Sequence, residues 1–180
     1  GFGHAKSVTF ENCKIVGQFY CHSGAPHKFI NCTIDPLNGY LYTYASDCEF
    51  INCTFEASEG KALQVYEDST TGSNKVIIDG CTFVAAKQAT TYDGKPVTPI
   101  DINSYGASFE VIINDCTSTG FPKGLNSDSD LWNVKNTALD VFKVTVDGVQ
   151  VYPYYYVDDV TGSLVVNSAN GLESALGDAG

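Results

Sequence analysis

HKFINCTI, residues 27–34, decides the reading of this chain, because the sequence keeps returning to it. VTFENCKI (8–15), CEFINCTF (48–55), VIIDGCTF (76–83) and VIINDCTS (111–118) share its shape, and WNVKNTAL (132–139) repeats it without the cysteine. Aligned on Cys13, Cys32, Cys53, Cys81, Cys116 and then Thr137, the units step by 19, 21, 28, 35 and 21 residues. A shortest step near 20 with longer ones above it describes one structural unit carrying loops of variable length. Within a unit the pattern has period two, breaks, and resumes. In VTFENCKI, Val8 and Phe10 point one way and Thr9 the other; after the Glu-Asn pair, Cys13 and Ile15 point inward again. That is two short strands joined by a tight bend, apolar inside and polar outside.

The bend positions are Asn12, Asn31, Asn52, Gly80, Asp115 and Asn136, residue types that tolerate left-handed backbone. A third strand follows each unit in GQFYCHS, GYLYTYA, KALQVYE, PIDINSY and KGLNSDS. Its inward residues are Phe19 and Cys21, Leu41 and Thr43, Leu63 and Val65, Ile100 and Ile102, Leu125 and Ser127. Three short strands per turn of about 20 residues predict an all-β, single-stranded parallel β-helix of about five to six coils, stacked at roughly 4.8 Å. The expected division is a helical domain over 1–151 and a β/short-helix capping tail, or the start of a following module, over 152–180.

The recurring F-x-N-C-x-I/F motif resembles the pectate-lyase-like right-handed parallel β-helix superfamily, over residues 7 to about 150. The resemblance implies the fold and an Asn ladder at the bend. It implies no single activity, because lyases, hydrolases, esterases, tailspikes and adhesins share that scaffold.

Five cysteines fall in register, one per coil, and read as a reduced core column of small apolar side chains. Adjacent coils hold sulfurs too far apart for a disulfide without backbone movement. Cys48 and Cys53 are the closest pair in sequence, with no His placed to complete a zinc site, so no metal is expected there. Cys21 and Cys48 lie on other strand positions.

The net charge is -11, and all ten basic residues are Lys. That excludes nucleic acid and anionic membrane surfaces as partners. No apolar run is long enough to span a bilayer. The chain has no Met and reads as part of a larger protein.

The resemblance implies that functional surfaces lie on one outward strand face, here that of the third strand: Tyr20 and His22, Tyr42 and Tyr44, Gln64 and Tyr66, Asp101 and Asn103, then Asn126 and Asp128. Glu67 and Asp68 extend it. Exposed tyrosines beside amides and carboxylates suit carbohydrate, the ring stacking on the sugar and the polar groups meeting its hydroxyls. The leading expectation is a non-catalytic, adhesin-like module of a secreted or cell-surface bacterial protein, binding a polysaccharide or host glycan. The same tyrosines also serve simply to stabilise a sheet, and a structural spacer is a further reading. The enzymatic alternative is a polysaccharide hydrolase or lyase with Asp101 and Asp128 as paired carboxylates and Glu67, Asp68 or His22 assisting. Pectin methylesterases resemble the chain around 17–34 but carry a carboxylate where GYLYTYA stands. Their essential Arg, the Arg base of pectate lyases and the Arg-Ile-Lys element of polygalacturonases have no counterpart in a chain without Arg. No cofactor is expected, with a structural calcium at NSDSD (126–130) or VDD (157–159) the one left open.

The insertion at 84–99 carries Asp93-Gly94 and two prolines and reads as a projecting loop beside the face. VFKVTVDGVQVY reads as a last coil or a strand pair turning at Asp147-Gly148, followed by a Tyr-rich cover over the helix end. Ser168, Leu172 and Leu176 mark a short terminal helix.

Overall fold

The structure, a computed structural model, describes residues 6–21, 26–44, 47–67, 75–87, 96–104, 108–135 and 142–167, with only the backbone of Tyr44 and Glu67. Five coils of three strands follow one another. The first holds β1 (Val8–Glu11), β2 (Lys14–Val16) and β3 (Phe19–Cys21). The second holds β4 (His27–Ile30), β5 (Thr33–Asp35) and β6 (Leu41–Tyr44), and the third β7 (Cys48–Ile51), β8 (Thr54–Phe55) and β9 (Leu63–Glu67). The fourth holds β10 (Lys75–Asp79), β11 (Thr82–Val84) and β12 (Ile100–Ser104), and the fifth β13 (Glu110–Asn114), β14 (Thr117–Thr119) and β15 (Trp132–Val134). A sixth turn begins with β16 (Lys143–Val146), which pairs antiparallel with β17 (Val149–Tyr152). A separate hairpin joins β18 (Tyr155–Val157) and β19 (Leu164–Val166). The strands of the coils stack in three parallel sheets, β1-β4-β7-β10-β13-β16, β2-β5-β8-β11-β14 and β3-β6-β9-β12-β15.

The bends are where the repeat placed them. Asn12, Asn31, Asn52, Gly80 and Asp115 have φ of 55°, 52°, 51°, 62° and 49°. Four of their amides donate to the next coil: Asn12 to Ile30 O, Asn31 to Ile51 O, Asn52 to Asp79 O and Gly80 to Asn114 O, at 2.8–3.0 Å. Asp115 N donates instead to Asp147 Oδ1 at 2.9 Å, so every one of these bend amides is satisfied as the chain turns from one sheet to the next. Asn136 and Thr137 lie outside the described residues.

Stacking in register makes columns of like side chains. Phe10, Phe29 and Phe50 stack face to face at 5.1 and 4.9 Å, and Phe55 on Phe83 at 4.7 Å. Cys32, Cys53 and Cys81 are buried, Cys116 is half-buried, and none of the seven cysteines is in a disulfide. Each buried thiol of this column donates to the carbonyl two residues before it and to one in the preceding coil, as Cys81 does to Asp79 O and Phe50 O. Cys13 departs from the expected inward column and is exposed, because no described coil covers its other side. On the outer surface, Lys28–Glu49 and Lys75–Glu110 pair between coils at 2.6 and 2.9 Å; such half-exposed pairs contribute about 0–1 kcal/mol each.

The described part of WNVKNTAL does not continue the cysteine units. Trp132, Asn133 and Val134 form β15 and pair with Ile100, Asp101 and Ile102 in the third sheet. The expected inward pair Leu125 and Ser127 is displaced accordingly: Leu125 is 61% exposed, whereas Trp132 and Val134 are buried. Segment 124–128 is a turn laid over β15 instead.

At the far end, the described part of VFKVTVDGVQVY is a strand pair, Lys143–Val146 and Val149–Tyr152. Asp147 and Gly148 both have positive φ, 47° and 79°, the conformation a two-residue hairpin needs. Phe109, Phe142 and Tyr152 stack at 4.7 Å each, so Tyr152 closes the core stack at that end. The expected helix at Ser168, Leu172 and Leu176 lies outside the described residues, and no helix among those described is long and apolar enough to cross a membrane.

Candidate functional site

The third sheet brings most of the predicted face into line. Tyr20, Tyr42, Gln64, Asp101 and Asn133 are register partners on successive strands. Tyr44, Tyr66 and Asn103 form the next row. Tyr20 and Tyr42 stack at 4.8 Å with their planes 5° apart. Tyr20 is 41% exposed, and Tyr42, Tyr66 and Asn103 are half-buried. Tyr40, just before β6, meets Tyr42 edge-on at 5.6 Å. His22, Asp68 and the side chains of Tyr44 and Glu67 lie outside the described residues.

Toward the later coils the same face is not open. Gln64, Asp101 and Asn133 are buried, Asp101 and Asn133 completely. Asp101 was expected as an exposed carboxylate; it is instead the centre of a buried polar cluster. Tyr40 Oη and Thr98 Oγ1 donate to its two oxygens at 3.1 and 3.0 Å. Lys135 Nζ lies 3.3 Å from Oδ2 as an ion pair and 5.5 Å over the Tyr40 ring. Burial pushes the Asp101 carboxyl above the usual carboxylate range, opposed by the Lys135 charge and by the Thr98 and Tyr40 hydrogen bonds. The end of the long insertion meets this cluster at Thr98, which is itself buried between buried Val97 and Pro99.

Asn126 and Asp128 do not occupy the face. Asn133 stands beside Asp101, and the 124–128 turn packs over it. Asn126 N donates to Asn133 Oδ1 at 2.9 Å, and Asn126 Nδ2 to Val134 O at 2.6 Å. A Cβ on Gly124 would meet Ser127 Oγ at 2.5 Å and Asn133 at 2.7 Å, so only glycine lets the turn come this close. Asp128 is left at the surface, 83% exposed, paired with Lys123 at 3.1 Å. The Asp101–Asp128 carboxylate pair therefore does not form. In the other acidic stretch, Asp158 spends Oδ1 on Val160 N, Thr161 N and Thr161 Oγ1, which hold a turn.

The structure also joins side chains that no spacing rule pairs. Cys21, His27 and Cys48 are all buried, with one potential ligand atom from each within 4.8 Å of the others. Cys53, near Cys48 in sequence, belongs to the separate bend column with Cys32 and Cys81.

A family model of the right-handed β-helix region matches residues 2–138. No curated protein and no solved structure matches the chain significantly.

Proposed function

The chain belongs to the right-handed β-helix family, and from that premise we propose that it is a non-catalytic binding module whose stacked tyrosines receive a glycan. The observation that carries this is the Tyr20–Tyr42 stack, parallel at 4.8 Å with Tyr20 41% exposed. The faces the two rings turn to each other are closed, so the outer face of Tyr20, held rigidly by the stack at little entropic cost, is the flat apolar surface that the C–H face of a sugar would meet. Tyr66 and Asn103 in the neighbouring row supply polar contacts. The charge of -11 favours a neutral polysaccharide over a uronic-acid one, since like charges repel at the approach. Such a module belongs on a secreted or cell-surface protein, where polysaccharides are met.

Hydrolysis is the weaker reading. A two-carboxylate mechanism needs both carboxyls across one glycosidic bond, about 5–10 Å apart. Asp101 is fully buried and held by three partners, and Asp128 lies in an exposed turn. The test is affinity electrophoresis and array binding on neutral and acidic polysaccharides, with Tyr20→Ala and Tyr42→Ala beside the parent chain. Retention by a neutral glycan, weakened at least about fivefold by either substitution, is expected. Unchanged binding in both variants, or release of new reducing ends that Asp101→Asn abolishes, overturns the proposal.

A further inference from the structure

Two inward columns run the length of the helix at the corner where the third sheet turns into the first. One is Val8, His27, Cys48, Val76, Val111 and Val144 in register. The other is Cys21, Thr43, Val65, Ile102 and Val134. Both are β-branched and apolar through the later coils, as a packed interior requires. In the early coils the same positions change to Cys21, His27, Thr43 and Cys48. His27 is 5% exposed and Thr43 0%, and among the described residues His27 Nδ1 and Thr43 Oγ1 have no hydrogen-bond partner. An unpartnered buried polar group costs about 1–3 kcal/mol, and valine, used elsewhere in the His27 column, would avoid that cost.

Two thiols and an imidazole converging in a buried corner are a soft ligand set. Around a tetrahedral zinc with Zn–S near 2.3 Å, neighbouring sulfurs lie about 3.8 Å apart. The ligand atoms here already lie within 4.8 Å of one another, so closing on an ion asks for side-chain shifts on the order of 1 Å. Charge fits as well. Two thiolates and a neutral imidazole make zinc(II) a neutral unit, which a core tolerates far better than a bare charge.

We propose that Cys21, His27 and Cys48 form a buried zinc(II) site that ties β3, β4 and β7 together across the first three coils. On binding, each of the two thiols releases its proton to solvent, Sγ and the imidazole nitrogen donate to the metal, and no electron changes hands. The remaining tetrahedral position falls to an oxygen, and Thr43, stacked on Cys21, carries the buried hydroxyl nearest in register. A disulfide between Cys21 and Cys48 is the competing fate of these sulfurs, but it would leave His27 Nδ1 unpartnered.

The full chain, purified reduced and metal-free, is titrated with Co(II) and Zn(II) against a chromophoric chelator. One equivalent is expected, with a thiolate-to-cobalt charge-transfer band and tetrahedral d–d bands. His27→Gln and Cys48→Ser should weaken binding at least about tenfold, and Cys53→Ser in the bend column should leave it unchanged. Zinc should also shield Cys21 and Cys48 of the parent chain from alkylation, mapped by peptide mass, without shielding Cys32 or Cys81; this readout stands even if a variant fails to fold. Absence of stoichiometric binding, copper(I) binding without zinc binding, or an equal cobalt band in His27→Gln overturns the proposal. So does recovery of five free thiols instead of seven from chain denatured without reductant, with Cys21 and Cys48 joined.

Discussion

Removing the Asp101 carboxylate should unfasten the later half of the candidate face. Asp101→Ala deletes the acceptor of Tyr40 Oη and Thr98 Oγ1 and the counter-ion of Lys135, whose side chain is only 12% exposed. Hydrogen bonds to a charged group are worth about 1.5–3 kcal/mol each, so the two together come to about 3–6 kcal/mol. Breaking a buried ion pair from one side costs about 3–5 kcal/mol by mutational precedent, a range that overlaps the first. The expected loss is therefore about 4 kcal/mol. Urea unfolding followed by fluorescence reads it directly, because the one tryptophan, Trp132, is buried on the strand beside Asp101. Asp101→Asn with Lys135→Met keeps an acceptor oxygen for Tyr40 Oη, turns its amide N–H toward Thr98 Oγ1, which can donate to Ile100 O instead, and removes the stranded ammonium. That double variant should lie within about 1 kcal/mol of the parent chain. A loss below about 1 kcal/mol for Asp101→Ala would show that the carboxylate does not hold this cluster together, as would a double variant no more stable than Asp101→Ala.

The same carboxyl sets a pH dependence. Because its folded pKa is raised, the folded state holds the proton to higher pH than the unfolded chain. Stability should fall as pH rises from about 3.9 through the folded value and then level off. Subtracting the Asp101→Asn profile from that of the parent isolates this limb, and a difference that rises with pH contradicts the assignment. Asp35 should act oppositely. Burial works against its charged form, but hydrogen bonds from Leu37 N and from Ser58 N and Oγ hold its pKa below the usual value. Its contribution should be present above about pH 3.9 and be lost as pH falls through the folded pKa, a limb that Asp35→Asn removes in acid titrations. Gly80→Ala should lower stability by about 2 kcal/mol in thermal melts: φ is +62° and the new Cβ would sit 2.3 Å from Asn52 Oδ1. Asn52→Gly should cost less than about 1 kcal/mol in the same melts, since glycine accepts the same backbone. Phe50→Ala should cost about 3–5 kcal/mol in denaturant unfolding, because Phe50 is fully buried and stacks on Phe29.

The coil, its bends and its core columns were legible because each is a local event repeated. Asn12, Asn31, Asn52, Gly80 and Asp115 announce a left-handed bend by residue type, and the alternation around each cysteine announces which side chains turn inward. Stacking in register then converts that one-dimensional repeat into columns of Phe and Cys without further information. The reading failed at the fifth coil, where the local pattern is ambiguous: both KGLNSDS and WNV pass as the third strand. Burying Trp132 and Val134 over Ile100 and Ile102, rather than Leu125 and Ser127, decides between them, and that preference exists only once β12 is in place.

Period and residue type, which act within a coil, are enough to specify a parallel β-helix, the place of its bends and a row of tyrosines on one outward face. Tertiary packing alone settles which part of that face meets solvent and which is closed by Thr98 and the 124–128 turn. It also decided that Cys21, His27 and Cys48 share one corner. Those outcomes depend on loops of variable length returning over neighbouring coils and on two sheets meeting at an angle. Such contacts join residues by their position around the helix, and spacing along the chain does not encode them.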